Sequence, residues 1–242
     1  ALSEQQRTED ALMLGCKHLS ELTRESIVII SELAAHRGDI DCLEEVIIEA
    51  RKRMPEDQEV IDQLLSLRWV ALAKAGKSDF LLREIADAKI VECGNFLLTC
   101  NAARLLYTSG YPLEATELTD RAKSLINACS HESDRLMLAE LLFKAKRWME
   151  AAVLYESLVS TGQISVLHTR LLACYIEADN RKMAKEYLNR LPEGWIENDE
   201  IRHLAINLGY KAGDWTFLLP LAEIQIRKAP TEAASWLFML HV

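Results

Sequence analysis

The sequence is poor in the residues that interrupt helices. Only 9 glycines and 5 prolines occur among 242 residues, and most of them fall between apolar periodic segments rather than inside them. This scarcity favours long helices joined by short turns and disfavours β-hairpins. Half of the residues are apolar, which excludes a chain that is disordered throughout.

Long apolar runs and an excess of basic residues are also missing. The apolar runs are short, such as those at 27–30 and 236–240, whereas a helix that crosses a bilayer needs roughly 20 apolar residues. The formal net charge of −9 disfavours electrostatic attachment to nucleic acid or anionic lipid. We therefore predict that the protein binds neither membranes nor nucleic acid. The first ten residues show no signal-peptide pattern.

The six cysteines are not spaced as a redox or metal motif. They lie at 16, 42, 93, 100, 129 and 174, without a CxxC pair, and most fall within apolar helical patterns. A chain of this length with a sizeable core has little need of a disulfide framework. We predict free, buried thiols in a reducing, cytoplasmic compartment. Metal binding is the alternative, and the spacing does not favour it.

A turn motif recurs along the chain at steps of 38, 34, 36, 33 and 34 residues. Each turn residue lies between two apolar periodic segments, and a small or aliphatic residue follows five positions later. A near-constant period of this length predicts stacked helix–turn–helix units. The turn residues are Gly38, Gly76, Gly110, Lys146, Asp179 and Gly213, and the residues five positions later are Leu43, Leu81, Ala115, Ala151, Ala184 and Leu218.

Helix-start and helix-end signals set the limits of these units. Asn95 and Asn198 are predicted N-caps, and Pro55 and Pro230 each follow the end of a second helix. The predicted repeats span 23–57, 58–95, 96–131, 132–164, 165–198 and 199–232, with partial units at 1–22 and 233–242.

From the two ends of the sequence we predict that the chain is an internal piece of a longer protein. Residue 1 is not Met, and the last residues are apolar where a solenoid normally has a polar capping helix. An uncovered apolar edge also predicts self-association between copies. The residues of this edge are Trp236, Leu237, Phe238 and Leu240.

The pattern resembles the tetratricopeptide repeat (TPR) family, whose repeats carry a Gly-Asp-aromatic turn, an Ala in the second helix and a closing Pro. The resemblance covers nearly the whole chain and is weaker in the units around Gly76 and Asp179. It implies an all-α fold: one α-solenoid of about six repeats, wound as a right-handed superhelix over 1–242. Related α-solenoids remain open. The matching residues are Gly213-Asp214-Trp215 with Pro230, Gly110-Tyr111 with Ala115 and Ala122, and Arg147-Trp148 with Ala151 and Tyr155.

Motifs for catalysis are missing. The sequence contains no HExxH, no glycine-rich phosphate loop and no GxSxG. The segment "HESD" at 131–134 is typical of a helix start, where Ser133 or Asp134 acts as a cap or first-turn acid. We therefore predict a protein that is not an enzyme and that has no cofactor and no metal.

The resemblance instead implies binding of a protein or peptide in a concave groove lined by the first helix of each repeat. Mapping the groove positions of the family onto this chain points to eight polar or aromatic residues. The alternative for these residues is ordinary packing and solvent contact. They are Asn101, Arg104, Tyr107, Arg170, His203, Asn207, Tyr210 and Lys211.

Three of these residues are cationic, which predicts a partner of acidic character. The chain is thus predicted to be a non-catalytic scaffold. Two other functions stay open: a ligand- or peptide-sensing regulatory segment of a larger signalling or transcription protein, and the repeat arm of an enzyme whose catalytic domain lies outside this sequence.

Overall fold

The computed structural model describes residues 2–90, 94–126, 131–159, 166–192 and 194–231. Within these ranges the chain forms thirteen α-helices, two 3-10 helices and no strand, which confirms the all-α prediction. The predicted self-association edge, Trp236 to Leu240, lies outside the described residues. The helices are α1 (Leu2–Lys17), α2 (Arg24–Arg37), α3 (Ile40–Arg53), α4 (Gln58–Lys74), α5 (Ser78–Asp87), α6 (Phe96–Ser109), α7 (Pro112–Leu125), α8 (Glu132–Lys144), α9 (Trp148–Leu158), α10 (Val166–Glu177), α11 (Arg181–Arg190), α12 (Asp199–Ala212) and α13 (Trp215–Lys228).

The chain divides into two compact units, Ala1–Ser130 and His131–Val242. In the first unit α2 packs on α3, α4 on α5 and α6 on α7, and the first helices α2, α4 and α6 also pack on one another in chain order. In the second unit the pairs are α8 with α9, α10 with α11 and α12 with α13, and α10 also packs on α12.

All six predicted turn residues adopt the left-handed conformation that ends a helix. Their φ angles lie between 52° and 90°, and two of them, Lys146 and Asp179, are not glycine. In each turn the next backbone N–H donates to the carbonyl five residues before it, at 2.9–3.0 Å, as Asp39 does to Ala34. This bond satisfies a carbonyl that the helix end leaves free. The recurring motif is therefore a helix end, as its spacing predicted.

The residues five positions after each turn are buried completely. Each of the six has a relative exposure of 0 %. A side chain at this position lies on the second helix of a pair, on the face that meets the first helix. Small or aliphatic residues there let the two helices pack closely.

Gly209 is a point of close approach between α12 and α13. A Cβ built on Gly209 would lie 2.6 Å from Cδ2 and 2.7 Å from Cγ of Leu218, which is fully buried. We expect Gly209→Ala to lower the free energy of unfolding by about 1–2 kcal/mol, because overpacking costs about 1–3 kcal/mol and the better helix propensity of Ala returns up to about 1 kcal/mol. Urea unfolding measures this difference.

Gly94→Ala is the matched control for Gly209→Ala. A Cβ on Gly94 meets nothing within 4 Å, and its φ is not positive. The control should unfold at nearly the wild-type urea concentration. Equal losses in the two variants would show that close packing at Gly209 is not the cause.

The predicted caps form as expected. The Asn95 side chain accepts a hydrogen bond from the backbone N–H of Leu98 at 3.0 Å, and the Asn198 side chain accepts one from Ile201 at 3.1 Å. Asp134 lies in the first turn of α8, where its negative charge favours the helix N-terminus. Capping by Asn therefore sets the start of α6 and of α12.

The prediction that all the cysteines are free thiols is wrong. Cys16 on α1 and Cys42 on α3 form a disulfide, with their Cα atoms 6.5 Å apart. Helical periodicity places each cysteine on an apolar face but does not show that two such faces meet. Cys100 and Cys174 are free and buried, and burial raises the pKa of the Cys174 thiol to about 12. The cysteines at 93 and 129 lie outside the described residues.

Candidate functional site

The eight residues predicted to line a groove fall into two groups, one in each compact unit. Three lie on α6 in the first unit, and five lie on α10 and α12 in the second. None of them is buried. Asn101, Tyr107 and Arg170 are half-buried, and Arg104, His203, Asn207, Tyr210 and Lys211 are exposed.

Asn101 lines a cleft between α4 and α6, the first helices of two neighbouring pairs. The cleft has a volume of about 400 Å³. Gln63, Ser66 and Leu67 face it from α4, and Leu97, 54 % exposed, faces it from α6. It thus combines amide and hydroxyl groups, the carboxylates of Glu59 and Asp62, and aliphatic side chains of which Leu97 is exposed.

One wall of this cleft is held by a buried carboxylate that the sequence did not single out. Asp62 on α4 is 8 % exposed and accepts hydrogen bonds from Gln58 Nε2 and from Asn95 Nδ2, both at 2.6 Å. Asn95 also caps α6, so this contact joins the start of α6 to the second turn of α4. The only signal in the sequence was an acid within an apolar run, "VIDQLL" at 60–65.

Arg104 lies one turn after Asn101 on α6. Its Nη2 donates to Asn101 Oδ1 at 3.5 Å, and the side chain is exposed. A weak bond of this kind leaves most of the guanidinium accessible to a partner. In the first unit, Asn101 and Arg104 therefore present an amide and a cation side by side.

The two predicted tyrosines contact the second helix of their own pair. The Tyr107 hydroxyl lies 3.1 Å from Thr116 Oγ1 on α7. The Tyr210 ring meets the Trp215 ring on α13 edge to face, with centroids 5.9 Å apart. Tyr210 is still 39 % exposed. Each tyrosine therefore helps to hold a helix pair together while it presents part of its ring to solvent.

The two predicted cations of the second unit are paired with carboxylates on neighbouring helices. Arg170 Nε lies 3.4 Å from Glu140 Oε1, and its guanidinium stacks on the Phe143 ring at 4.8 Å from the centroid. Lys211 Nζ lies 3.9 Å from Glu177 Oε1. These pairs are part-exposed and hence individually weak. They reduce the local positive charge that the sequence predicted.

Glu140 also bonds the buried hydroxyl of Tyr155 at 2.7 Å. Burial raises the pKa of the Tyr155 hydroxyl, and the bond to Glu140 raises it further. Tyr155 is fully buried and stays protonated as the donor of this bond. Glu140 is thereby held between Tyr155 and Arg170.

His203, Asn207 and Lys211 share one face of α12. They are spaced by four residues, and all three are exposed. Side chains four positions apart on a helix point the same way. The face therefore offers an imidazole, an amide and an ammonium group in a row about two turns long.

Comparison with models of known protein families and with curated proteins finds no match. In the part of the chain that the structure describes, no helix combines the length and apolar character that a bilayer crossing requires. The same residues include no group of three or more His, Cys, Asp or Glu side chains that could hold a metal ion. The described residues thus define an all-α protein of packed helix pairs.

Proposed function

We propose that this protein is a non-catalytic scaffold that holds a protein or peptide segment against the first helices of its helix pairs. The observation that carries the proposal is the cleft between α4 and α6, which contains Asn101 of the predicted groove. We infer TPR-like repeats of a right-handed α-solenoid as the underlying architecture. The shared turn conformation and the buried residue five positions later support this inference.

The chemistry of the cleft suits an extended peptide backbone. Gln63 and Asn101 each offer a side-chain donor and acceptor, which match the N–H and C=O of a peptide. Leu67 and the exposed Leu97 offer apolar area for alternate side chains of the same peptide. The bond that Asn95, the N-cap of α6, donates to Asp62 on α4 joins the two helices, so the helices need little rearrangement when a peptide binds.

The second unit supports a partner of acidic character. Asn207 and Lys211 lie on one exposed face of α12, and the contact between Lys211 and Glu177 is long. A carboxylate of the partner can therefore compete for this ammonium group. The same holds for Arg104 in the first unit, whose side chain makes only the weak bond to Asn101 among the described residues.

Affinity selection tests the proposal. A displayed library of random twelve-residue peptides is selected on the full chain, and the selected peptides are measured by calorimetry. Replacing Asn101, Arg104 or Asn207 by Ala is expected to weaken binding by about 1–3 kcal/mol where the residue is a central contact.

Asn189→Ala is the matched control. Asn189 is an exposed amide on α11, the second helix of its pair. The control should bind the selected peptides with wild-type affinity, and all variants should unfold at nearly the same temperature. Selected peptides that bind Asn101→Ala, Arg104→Ala and Asn207→Ala as tightly as wild type would refute the groove.

The cytoplasmic location remains a prediction, and the disulfide between Cys16 and Cys42 weighs against it. Disulfides persist mainly in oxidising compartments, whereas the cytosol keeps thiols reduced. The redox state of these two cysteines in intact cells decides between the two environments.

A further inference from the structure

A second concave site lies in the first unit, between α3 and α5. It is a cavity of about 700 Å³ above α4, within the range of roughly 300–1,000 Å³ that is typical of small-molecule sites. None of the eight predicted groove residues lines it, although Asp62 and Leu98 line both this cavity and the cleft between α4 and α6. Binding in this cavity does not depend on the scaffold function.

The cavity exists because α5 is short. It has ten residues, whereas the second helices α3 and α7 of the neighbouring pairs have fourteen each. α5 ends at Asp87, and Ala88 is its C-cap. Both residues line the cavity where a longer second helix would continue.

Apolar side chains form the floor and one wall. Ile61 and Leu65 on α4 form part of the floor, and Ile48 projects from α3 with 61 % of its surface exposed. When an apolar ligand covers an exposed aliphatic side chain of this kind, the free energy falls by about 25 cal/mol for each Å² of apolar surface removed from water. The cavity is therefore suited to a ligand with an apolar body.

Negative charge dominates the polar part of the lining. Four carboxylates line the cavity against two guanidinium groups. One guanidinium, that of Arg68, is already engaged by Glu84, at 2.9 Å from Nη2 to Oε1, and by Glu44 at 3.4 Å. Burial lowers the pKa of Arg68, but the bond to Glu84 and the nearby carboxylates outweigh burial and raise it. The positive charge of Arg68 is thus balanced by Glu84 and Glu44, and Arg68 is not available to bind an anionic ligand.

The carboxylates differ in how they are used. Asp62 accepts hydrogen bonds from Gln58 and Asn95, and Glu84 is paired with Arg68. Asp87 is exposed, and no hydrogen bond or ion pair holds it among the described residues. It stands at the end of α5 beside Ala88. An exposed carboxylate at the mouth of an apolar cavity attracts a cation.

Arg51 on α3 is the second guanidinium of the lining, and it is exposed. Its positive charge repels a cationic ligand on that side of the cavity. The lining as a whole still carries two more negative than positive groups, so the balance of charge favours a cation over an anion of the same shape.

We propose that this cavity binds a small amphipathic amine: a molecule with one apolar or aromatic body and one ammonium group. The apolar body covers Ile48 and Leu65, and the ammonium group faces Asp87. Such a ligand uses both features of the cavity, the exposed aliphatic surface and the excess of negative charge.

Two probes with the same aromatic body and opposite charge test the proposal on the full chain. 2-(1-Naphthyl)ethylamine is the cationic probe and 1-naphthylacetate is the anionic one, and ligand-observed NMR with calorimetry measures both. We expect saturable 1:1 binding of the amine, and binding of the acetate that is weaker by about tenfold or more.

Paired variants locate the site. Ala88→Trp fills the mouth of the cavity and should abolish binding of the amine, whereas Ala86→Trp, at an exposed residue of α5 outside the lining, should leave it unchanged. Asp87→Asn should weaken binding of the amine by about three- to tenfold and Asp41→Asn, on an exposed part of α3, should not.

Three outcomes would overturn the inference. They are equal binding of the two probes, binding that Ala88→Trp does not reduce, and no binding of the amine at millimolar concentration. Thermal melts of the four variants separate loss of binding from loss of folding.

Discussion

Replacing Trp69 by alanine is expected to lower the free energy of unfolding by about 3–5 kcal/mol, the range for removing a buried aromatic side chain. Trp69 has no exposed surface, and it lies on α4, the helix that packs on α2, α3, α5 and α6. Trp69 lines the cavity between α3 and α5, so truncation removes packing contacts of α4 and enlarges that cavity. Urea unfolding of the full chain, with hydrogen exchange of the α4 amides, measures the loss and its place.

A second substitution at Trp69 separates packing from hydrogen bonding. The Nε1 atom of Trp69 is buried without a hydrogen-bond partner among the described residues, and such a donor costs about 1–3 kcal/mol. Trp69→Phe removes this donor and keeps much of the apolar volume, so it should lose clearly less stability than Trp69→Ala. If the two variants are equally destabilised, the apolar volume at this position is not what stabilises α4.

Trp215→Ala is the control for aromatic truncation in general. Trp215 is 45 % exposed at the start of α13, and its ring contacts Tyr210, so its truncation should cost about 0.5–1.5 kcal/mol, the range for one aromatic pair. A loss at Trp215 as large as that at Trp69 would mean that burial does not govern the effect.

Removing the disulfide between Cys16 and Cys42 is expected to cost about 3–4 kcal/mol, from the loop-closure entropy of a cross-link over a sequence separation of 26 residues. The disulfide joins α1 to α3 and reduces the number of conformations open to the unfolded chain. A reducing agent should therefore lower the urea midpoint of the wild-type protein. The double variant Cys16→Ser with Cys42→Ser should show the lower midpoint with or without the reductant.

Thiol counting decides between the disulfide and the expectation from the sequence. In denaturant without a reductant, a protein with the disulfide exposes at least two fewer reactive thiols than the six cysteines of the chain. Labelling of all six would show that the pair is not bonded. Cys174→Ser serves as a control, because Cys174 is a free thiol whose loss should not change the response to reductant.

Local features of the fold were predictable from the sequence. The positions of helix ends follow from short-range rules, and the six turn residues share positive φ whether they are glycine, Lys146 or Asp179. The caps at Asn95 and Asn198 follow from the same kind of rule, since the capping side chain bonds a backbone N–H three residues away. Each of these interactions joins residues that are near one another in the chain.

The accessibility of the predicted groove residues could also be predicted from the sequence, whereas their contacts could not. Helical periodicity separates the buried face from the accessible one, and none of the eight residues is buried. Periodicity does not determine the partner of each side chain. The contact of Tyr107 with Thr116 and that of Tyr210 with Trp215 depend on how closely the second helix approaches the first.

Long-range contacts were decided by the tertiary structure alone. The disulfide joins residues 26 apart, and the bond from Asn95 to Asp62 joins residues 33 apart on different helix pairs. A period of about 34 residues indicates that helices stack, but it contains no information on which side chains meet where two pairs touch. The cavity beside α5 also depends on the tertiary structure. A short helix leaves a cavity only where the neighbouring helices enclose the space beyond its end. The sequence by itself therefore determined the helices and their turns through local hydrogen bonding, and packing between helix pairs determined the cross-link, the cleft and the cavity.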